Sequence, residues 1–309
     1  MLNLINICCN NVFVMTNGLR YEGPIYRPPS EANSLLVQAT IGCPWNKCTF
    51  CMVYKNGPKF KIRPVKEIKE DILWAKNNYK FPIKTVFFPS GNTIIMKTED
   101  LVEILEYTKR LFPNLERITV YGSSQYIVRK GLNDLKKIAK AGLSRIHVGL
   151  ESGDDAILEY IKKGVTAGVH IKAGKIVKKA GIELSEYVVI GLGGKKQTKQ
   201  HIDKTVDVLN KINPDFIRIR TFLPKINTPI LEEIKSGEFE VLSAHEALKE
   251  IYRLIKNLKV TSKIFSDHYT NYIAVNGKLP EDRQRMLAVI EDALKKDEKS
   301  FREVYIGDQ

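Results

Sequence analysis

Cysteine is scarce in this chain of 309 residues, which contains only five. A secreted protein held together by disulfides would need more cysteines, paired along its length, so that class is excluded. A run of eighteen apolar residues is also absent, which excludes a membrane-spanning helix. Disorder is excluded as well, because 43 % of the residues are apolar and 27 % are charged, near the average for soluble globular proteins.

The first nineteen residues lack charged side chains altogether. Five asparagines make this stretch too polar for a membrane helix, and it has neither the basic start nor the small-residue cleavage site of a signal peptide. Met15 opens a segment typical of the start of a cytosolic chain. We therefore expect residues 1–19 to be a disordered or spurious extension, in which Cys8 and Cys9 take no part in the chemistry.

Basic residues exceed acidic ones, 49 against 35, which gives a net charge of +14. This excess favours an anionic partner, such as a phosphate, a carboxylate-rich small molecule or RNA. The basic residues are spread over many predicted helices and are not interleaved with aromatic residues on one surface, as single-stranded nucleic-acid binding would require. A small-molecule or anionic substrate is therefore predicted, with nucleic acid possible but not favoured.

From residue 35 onward, short β-rich runs alternate with amphipathic helical patterns. The predicted strands cover residues 35–41, 84–89, 117–121, 145–150, 182–190 and 216–223. The predicted helices cover residues 64–79, 98–112, 132–141, 154–163, 166–180 and 197–212. Six β-to-α steps require a parallel sheet with right-handed crossovers, and so many units close partly or fully into a barrel. We therefore predict an α/β fold, a partial (β/α)6 barrel similar to a TIM barrel.

An open doubly wound sheet is the alternative fold. It would carry a glycine fingerprint for a nucleotide after its first strand, but cysteines occupy that place here. The barrel core is predicted over residues 20–240. A carboxyl-terminal helical extension, residues 241–309, is predicted to cover the barrel, with a short strand near residues 260–265.

Three of the five cysteines lie within nine residues, directly after the first predicted strand, with the spacing Cys43-x4-Cys48-x2-Cys51. Such a density indicates a metal site in a reducing compartment, so we expect the protein to be cytoplasmic. Three thiols on one loop can hold three irons of a cubane and leave the fourth open to a substrate or cofactor. Zinc is the competing metal, but a structural zinc site needs four ligands, and the nearest histidine is His147.

A three-cysteine loop after the first strand of a βα-repeat chain, with the aromatic Phe50 just before the last cysteine, resembles the radical S-adenosylmethionine (SAM) superfamily. The resemblance covers residues of about 20–240. It implies that Cys43, Cys48 and Cys51 ligate a 4Fe-4S cluster whose unique iron chelates SAM, with Phe50 among the cofactor-binding residues. It also implies reductive cleavage of SAM to a 5′-deoxyadenosyl radical, which removes hydrogen from a substrate.

The spacing of the cysteines departs from the pattern usual in this superfamily, which is C-x3-C-x2-C. The first gap here contains four residues. The resemblance therefore places the chain in a minority branch, for which the substrates of other members are a poor guide.

Residues at the ends of later predicted strands should complete the cofactor site, because barrel enzymes place their chemistry there. The resemblance implies that the backbone at Gly91, next to Asn92, receives the amino group of SAM. It also implies that Glu151 contacts the ribose hydroxyls, with Ser152 beside it. It places the strand that ends at Gly191 next to the adenine.

Two further groups of polar residues are candidates. Strand alternation puts Arg218 and Arg220 on one face, and burying two guanidinium groups against helices would be costly. We therefore expect them in the barrel lumen near a carboxylate, and count Arg220 among the cofactor-binding residues. His268 follows an apolar run among other acid-base groups and is the candidate proton donor.

The predicted function is that of a radical SAM enzyme, an oxidoreductase or transferase that abstracts hydrogen from an unidentified substrate under anaerobic conditions. Its cofactors are a 4Fe-4S cluster and SAM, and its electron donor is a ferredoxin or flavodoxin. No membrane partner is expected. The alternative is a zinc-containing nucleic-acid-binding protein, which would be colourless and would lose affinity steeply with salt.

Overall fold

Twelve strands and nine α-helices lie in residues 13–16 and 18–307, the part of the chain that the computed structural model describes. The strands are β1 (Phe13–Thr16), β2 (Leu19–Glu22), β3 (Leu35–Leu36), β4 (Thr40–Ile41), β5 (Lys61–Ile62), β6 (Thr85–Phe88), β7 (Arg117–Gly122), β8 (Arg145–Glu151), β9 (Glu183–Ile190), β10 (Phe216–Thr221), β11 (Lys263–Phe265) and β12 (Gly277–Lys278). The helices are α1 (Val65–Asn78), α2 (Thr98–Leu111), α3 (Ser124–Ala141), α4 (Asp155–Tyr160), α5 (Ala167–Lys179), α6 (Thr198–Ile212), α7 (Ile230–Ser236), α8 (Ala244–Asn257) and α9 (Arg283–Leu294).

Eight strands form the main sheet, in the order β12-β11-β10-β9-β8-β7-β6-β3. Strands β3 and β6 to β11 are parallel, and only the edge strand β12 is antiparallel to its neighbour. Because the strands follow one another in chain order without a reversal, the sheet has no switch point of the doubly wound kind. The predicted α/β fold with a parallel, barrel-like sheet is confirmed.

The ends of the chain contribute more strands than the sequence indicates. The predicted short strand near residues 260–265 is β11, which joins the main sheet beside β10. Near the amino terminus, β1 pairs with β2 in an antiparallel hairpin. The expected extension over residues 1–19 lies mostly outside the described residues, as do Cys8 and Cys9, and the domain boundaries stay predictions.

The first predicted strand, residues 35–41, is divided in two. Leu35 and Leu36 pair with β6 in the main sheet, whereas Thr40 and Ile41 turn away to pair with β5. This division sends the chain out of the sheet just before the cysteine loop.

The two faces of the main sheet differ in composition. One face packs on the helices and supplies the large apolar core, with Ile146, Val148 and Ile217 among its members. The opposite face carries His147 and Tyr187, whose ring centroids lie 5.7 Å apart. Side chains alternate along a strand, so Arg145, His147, Ser185, Tyr187, Arg218 and Arg220 of β8, β9 and β10 share the face opposite the apolar core.

Helix α3 begins earlier than the predicted helix over residues 132–141. Gly131, with φ of +75°, interrupts the helical backbone, and the sequence pattern is clear only after this break. Within the described residues, no helix is both long enough and apolar enough to cross a lipid bilayer.

Candidate active site

The cysteine loop lies between β4 and β5, and its three half-buried thiols form no disulfide. Its start is fixed against the end of β6, because the backbone N–H of Gly91 donates to the carbonyl of Gly42 at 3.0 Å. A side chain on Gly91 would bring its Cβ to 2.6 Å from the Cα of Cys43. Gly91, predicted to contact the cofactor through its backbone, therefore also lets the loop approach β6 closely.

The middle of the cysteine loop is held from the other side by residues far along the chain. The N–H of Thr49 donates to the carbonyl of Ile161 at 2.9 Å, and its own carbonyl accepts from Ile230 at 3.2 Å. The indole Nε1 of Trp45 donates to the carbonyl of Lys162 at 2.7 Å. The loop is thus clamped between the segment after α4 and the start of α7.

Phe50 belongs to the same clamp. It packs against a second, smaller apolar cluster that includes Ile161, Leu192 and Ile230. The aromatic ring in front of the last cysteine therefore anchors the loop in this cluster, and its predicted contact with the cofactor stays a prediction.

The thiols influence one another's ionisation. Burial, together with the charges of Cys51, Glu151 and Cys43, raises the pKa of Cys48 to about 11, against the lowering effect of Lys163. Burial likewise raises the pKa of Cys51. Thiolates are therefore costly here unless cationic iron binds them and displaces their protons.

The donor set fits an iron–sulfur cluster better than a single ion. Thiolates are the ligands that iron–sulfur clusters use, and each thiol would bind a different iron. Within residues 13–16 and 18–307, no three His, Cys, Asp or Glu side chains are arranged to hold one metal ion. The zinc alternative, which needs four ligands around one ion, is not supported.

Glu151 ends β8 and stands beside the cysteine loop. Its backbone has φ of +63°, a left-handed conformation that costs energy in a residue other than glycine, and the β8–β9 pairing is irregular between Gly149 and Glu151. Its Oε1 accepts a hydrogen bond of 2.8 Å from Nζ of Lys163. The predicted ribose-binding carboxylate is thus held at the sheet edge by a cation.

Lys163 was missed by the sequence analysis. Burial favours its neutral form, but the charges of Glu151 and Cys48 and the hydrogen bond with Glu151 outweigh that effect and raise the pKa of Lys163 above its usual range. It lies at the end of a basic run, Lys162 and Lys163, before Gly164. That pattern is ordinary at a helix end, so nothing in the sequence marks this lysine as part of the site.

Ser152 is fully buried, and its hydroxyl is 2.9 Å from Nδ1 of His201. The other ring nitrogen of His201 donates to the carbonyl of Val189 at 3.0 Å, which leaves Nδ1 as the acceptor for the serine. The structure therefore shows Ser152 joining the end of β8 to α6, and its predicted contact with the ribose stays a prediction.

Asn92 and Gly191 are both fixed by their neighbours. The Nδ2 of Asn92 donates to Ser123 at 2.8 Å, while its buried Oδ1 has no hydrogen-bond partner among the described residues. Gly191, with φ of +80°, donates its N–H to Glu250 at 2.7 Å. Burial raises the pKa of Glu250 to about 7, although this hydrogen bond and one from Thr198 act against the rise.

Arg220 and His268 lie toward the other end of the sheet, on β10 and after β11. The Arg220 guanidinium stands 4.9 Å from the ring centroid of Tyr187. Burial, Arg220 and Lys225 together lower the pKa of His268 to about 3. Its Nδ1 accepts from the N–H of Thr270 at 3.3 Å. The ring is therefore neutral at neutral pH with its proton on Nε2, the only atom from which it could donate.

The Radical SAM superfamily model matches residues 37–209, more than half of the chain. The chain belongs to the radical SAM superfamily. Members of this superfamily use a 4Fe-4S cluster and SAM, and the matched residues include all three cysteines of the loop together with Glu151 and Gly191.

Two curated proteins illustrate the relationship. The chain is 28 % identical over 215 residues to a biotin synthase of Methanococcus maripaludis, covering 68 % of this chain and 61 % of that protein. It is 27 % identical over 241 residues to a tRNA-2-methylthio-N(6)-dimethylallyladenosine synthase of Thermodesulfovibrio yellowstonii, covering 74 % of this chain and 53 % of that protein. The chain spans about half the length of the curated relatives it matches.

Solved structures share the fold at lower identity. Methylornithine synthase (PylB) matches with a TM-score of 0.52 and 15 % identity, covering 86 % of this chain and 84 % of that chain. SuiB of Streptococcus suis, solved bound to SAM, matches with a TM-score of 0.52 and 13 % identity, covering 82 % of this chain and 52 % of that chain. These similarities show the radical SAM fold and leave the substrate open.

Proposed function

We propose that this chain is an enzyme that cleaves SAM reductively at a 4Fe-4S cluster held by Cys43, Cys48 and Cys51. The observation that carries this proposal is the clamped cysteine loop, which holds three thiols within electrostatic reach of one another and of Glu151 and Lys163. A reduced 4Fe-4S cluster at these thiols would supply the electron for cleaving SAM to methionine and a 5′-deoxyadenosyl radical, the species that would remove hydrogen from the substrate.

The residues around the loop have separate tasks in SAM binding. With Cys43, Cys48 and Cys51 as its ligands, a four-iron cluster would keep one iron free for the amino and carboxylate groups of SAM. The unpartnered, buried Oδ1 of Asn92 is a hydrogen-bond acceptor next to Gly91, as the amino group of SAM requires. Glu151, held by Lys163, would contact the ribose hydroxyls with Ser152 beside it, and the turn at Gly191 would lie against the adenine.

Phe50 completes the site by keeping the loop anchored on its apolar cluster. His268 is proposed as the proton donor to the substrate, through Nε2. The substrate is a small molecule or carries an anionic group, in keeping with the net charge of +14. A ferredoxin or flavodoxin supplies the electron, and the enzyme works anaerobically in the reducing cytoplasm, where thiols are kept free to bind metal.

The test is an anaerobic assay of SAM cleavage. The full chain is reconstituted with iron and sulfide, given SAM and a strong reductant, and assayed for 5′-deoxyadenosine. Wild type should form it, and each of Cys43→Ala, Cys48→Ala and Cys51→Ala should not. Cys9→Ala is the matched control and should behave like wild type. Formation of 5′-deoxyadenosine by the Cys48→Ala chain would show that the ligands are wrongly assigned.

A further inference from the structure

A second set of polar side chains lies on the sheet face opposite the apolar core. Arg218 is the register partner of Tyr187 on β9 and of Phe265 on β11. Arg220 lies two residues further along the same strand, so both guanidinium groups share the face of Tyr187. The intervening Ile219 belongs to the helix-facing core. This face therefore brings together two cations and a phenol.

The donors on this face are buried without partners. Arg218 is 5 % exposed and Tyr187 is 8 % exposed. The Nε atoms of Arg218 and Arg220, the hydroxyl of Tyr187 and that of Ser185 have no hydrogen-bond partner in the described part of the chain. Buried polar groups are nearly always paired, so four orphaned groups on one face indicate a binding site for a ligand with acceptor atoms.

Other arginines on the same face are neutralised within the protein. Arg117 pairs with Glu31 at 3.1 Å, and Arg145 pairs with Glu183 at 2.6 Å. Neither Arg218 nor Arg220 has such an ion pair within residues 13–16 and 18–307. A buried charge without a counter-charge is energetically costly. We therefore expect an anion from outside the chain to pair with these two arginines.

Nearby charges reinforce the need for an anion. Burial raises the pKa of Tyr187 to about 12, so the phenol keeps its proton as a donor, although Arg220 and Arg218 lower that pKa. Lys225 and Arg220 act together on His268. Two acids, Glu31 and Asp267, act on the pKa of Tyr187 in the opposite direction, with smaller effects than those of the two arginines. Glu31 is already paired with Arg117 at 3.1 Å, and the side chain of Asp267 is exposed to solvent. The charges of Arg218 and Arg220 therefore have the largest electrostatic effect on Tyr187.

We propose that this face binds an oxyanion of the substrate, a carboxylate or a phosphate, through Arg218, Arg220 and the hydroxyl of Tyr187. The proposal rests on the proposed function, because the oxyanion belongs to the molecule that loses hydrogen. It assigns Arg220 to the substrate and not to the carboxylate of SAM. The rings of Tyr121 and Phe87, with centroids 5.0 Å apart, lie on the same face and would contact an apolar body attached to the oxyanion.

The test is anaerobic titration calorimetry on the reconstituted full chain with SAM present. The probes are hexanoate, inorganic phosphate and the neutral hexanamide. The variants Arg218→Gln and Arg220→Gln remove the charge, and Arg218→Lys and Arg220→Lys keep the charge but remove the Nε donor. Arg253→Gln is the matched control, because it removes the same charge from the helix α8, where Arg253 pairs with Asp203 at 2.6 Å.

Hexanoate or phosphate should bind wild type and Arg253→Gln equally, and hexanamide should not bind. Each Gln variant should weaken the anion about tenfold or more, as expected for hydrogen bonds to a charged group, while its affinity for SAM stays unchanged. Binding of hexanoate identifies a carboxylate substrate, and binding of phosphate alone identifies a phosphorylated one. If a Gln variant does not fold, the same weakening is expected of the Lys variant at that position.

Several results would overturn the proposal. These are failure of both anions to bind wild type, equal binding of hexanamide, undiminished anion binding by the folded variants, or loss of SAM affinity in Arg220→Gln. The proposed function is tested separately: a wild-type chain that forms no 5′-deoxyadenosine contradicts that function, whatever its affinity for anions.

Discussion

Nζ of Lys163 donates a hydrogen bond of 2.8 Å to Oε1 of Glu151. The two side chains are 14 % and 13 % exposed, so the pair is largely withdrawn from water. The charge of Lys163 also acts on Cys48. One ion pair therefore connects the end of β8, the segment after α4 and the cysteine loop, which are the three parts that the proposed SAM site needs.

Removing the lysine tests this connection. We expect Lys163→Met to lower the free energy of unfolding by about 1–3 kcal/mol, because it leaves a largely buried carboxylate without its donor. Adding Glu151→Gln should restore part of that loss, with a coupling of about 1 kcal/mol in a double-mutant cycle. Anaerobic urea denaturation of the reconstituted chain measures both quantities.

A matched control exists on α5. Lys178 and Asp215 are also 2.8 Å apart, but their side chains are 33 % and 35 % exposed. Lys178→Met should therefore cost about 1 kcal/mol or less. Two results would contradict this account: equal losses of unfolding free energy in the two lysine variants, or additive effects of Lys163→Met and Glu151→Gln. Either would show that burial does not make the Lys163–Glu151 pair more stabilising than an exposed pair.

The close contact between Gly91 and the cysteine loop gives a second prediction. Gly91→Ala would bring a methyl group to 2.6 Å from the Cα of Cys43, so the loop must shift. We expect less iron per chain after reconstitution than in wild type. Gly168→Ala is the control, because its added Cβ would meet only the hydroxyl of Thr166, at 3.8 Å. Equal iron content in both variants would contradict the proposed packing.

His201 gives a prediction about pH. Burial lowers the pKa of His201 to about 4, against the raising effect of its hydrogen bond to Val189, while an unfolded histidine has a pKa near 6.5. Between these values the unfolded chain binds more protons than the folded one, so stability is full above pH 6.5 and decreases as pH falls toward 4.

The variant His201→Gln should remove this contribution. The free energy of unfolding of wild type should fall more steeply below pH 6.5 than that of the variant, with slopes that differ by up to about 1.4 kcal/mol per pH unit. Urea denaturation of both chains across this range measures the difference. Parallel curves would mean that His201 titrates alike in the folded and unfolded states.

The regular parts of the fold could be predicted because their signals are local. The helix expected over residues 98–112 is α2, Thr98–Leu111. The helix expected over residues 166–180 is α5, Ala167–Lys179, and Gly181 directly after this region has φ of +79°, as is common for a glycine that ends a helix. Hydrophobic spacing and glycine conformation depend on neighbouring residues, so one sequence suffices to find them.

The contacts that assemble the site could not be predicted in this way. The hydroxyl of Ser152 is bonded to a histidine 49 residues away, and Lys163 acquires its role only because the chain turns back to Glu151. The division of the first strand follows from pairing between β4 and β5. Each of these depends on segments that meet only in the folded chain, and no local pattern encodes them.

The most direct test of the central claim is electron paramagnetic resonance of the reduced, reconstituted chain with and without SAM. If Cys43, Cys48 and Cys51 hold a four-iron cluster with one open iron, wild type should give a 4Fe-4S signal that changes when SAM is added. Cys48→Ala should lose the signal and Cys9→Ala should keep it. An iron–sulfur signal in wild type that SAM leaves unchanged, or an undiminished signal in Cys48→Ala, would contradict the account.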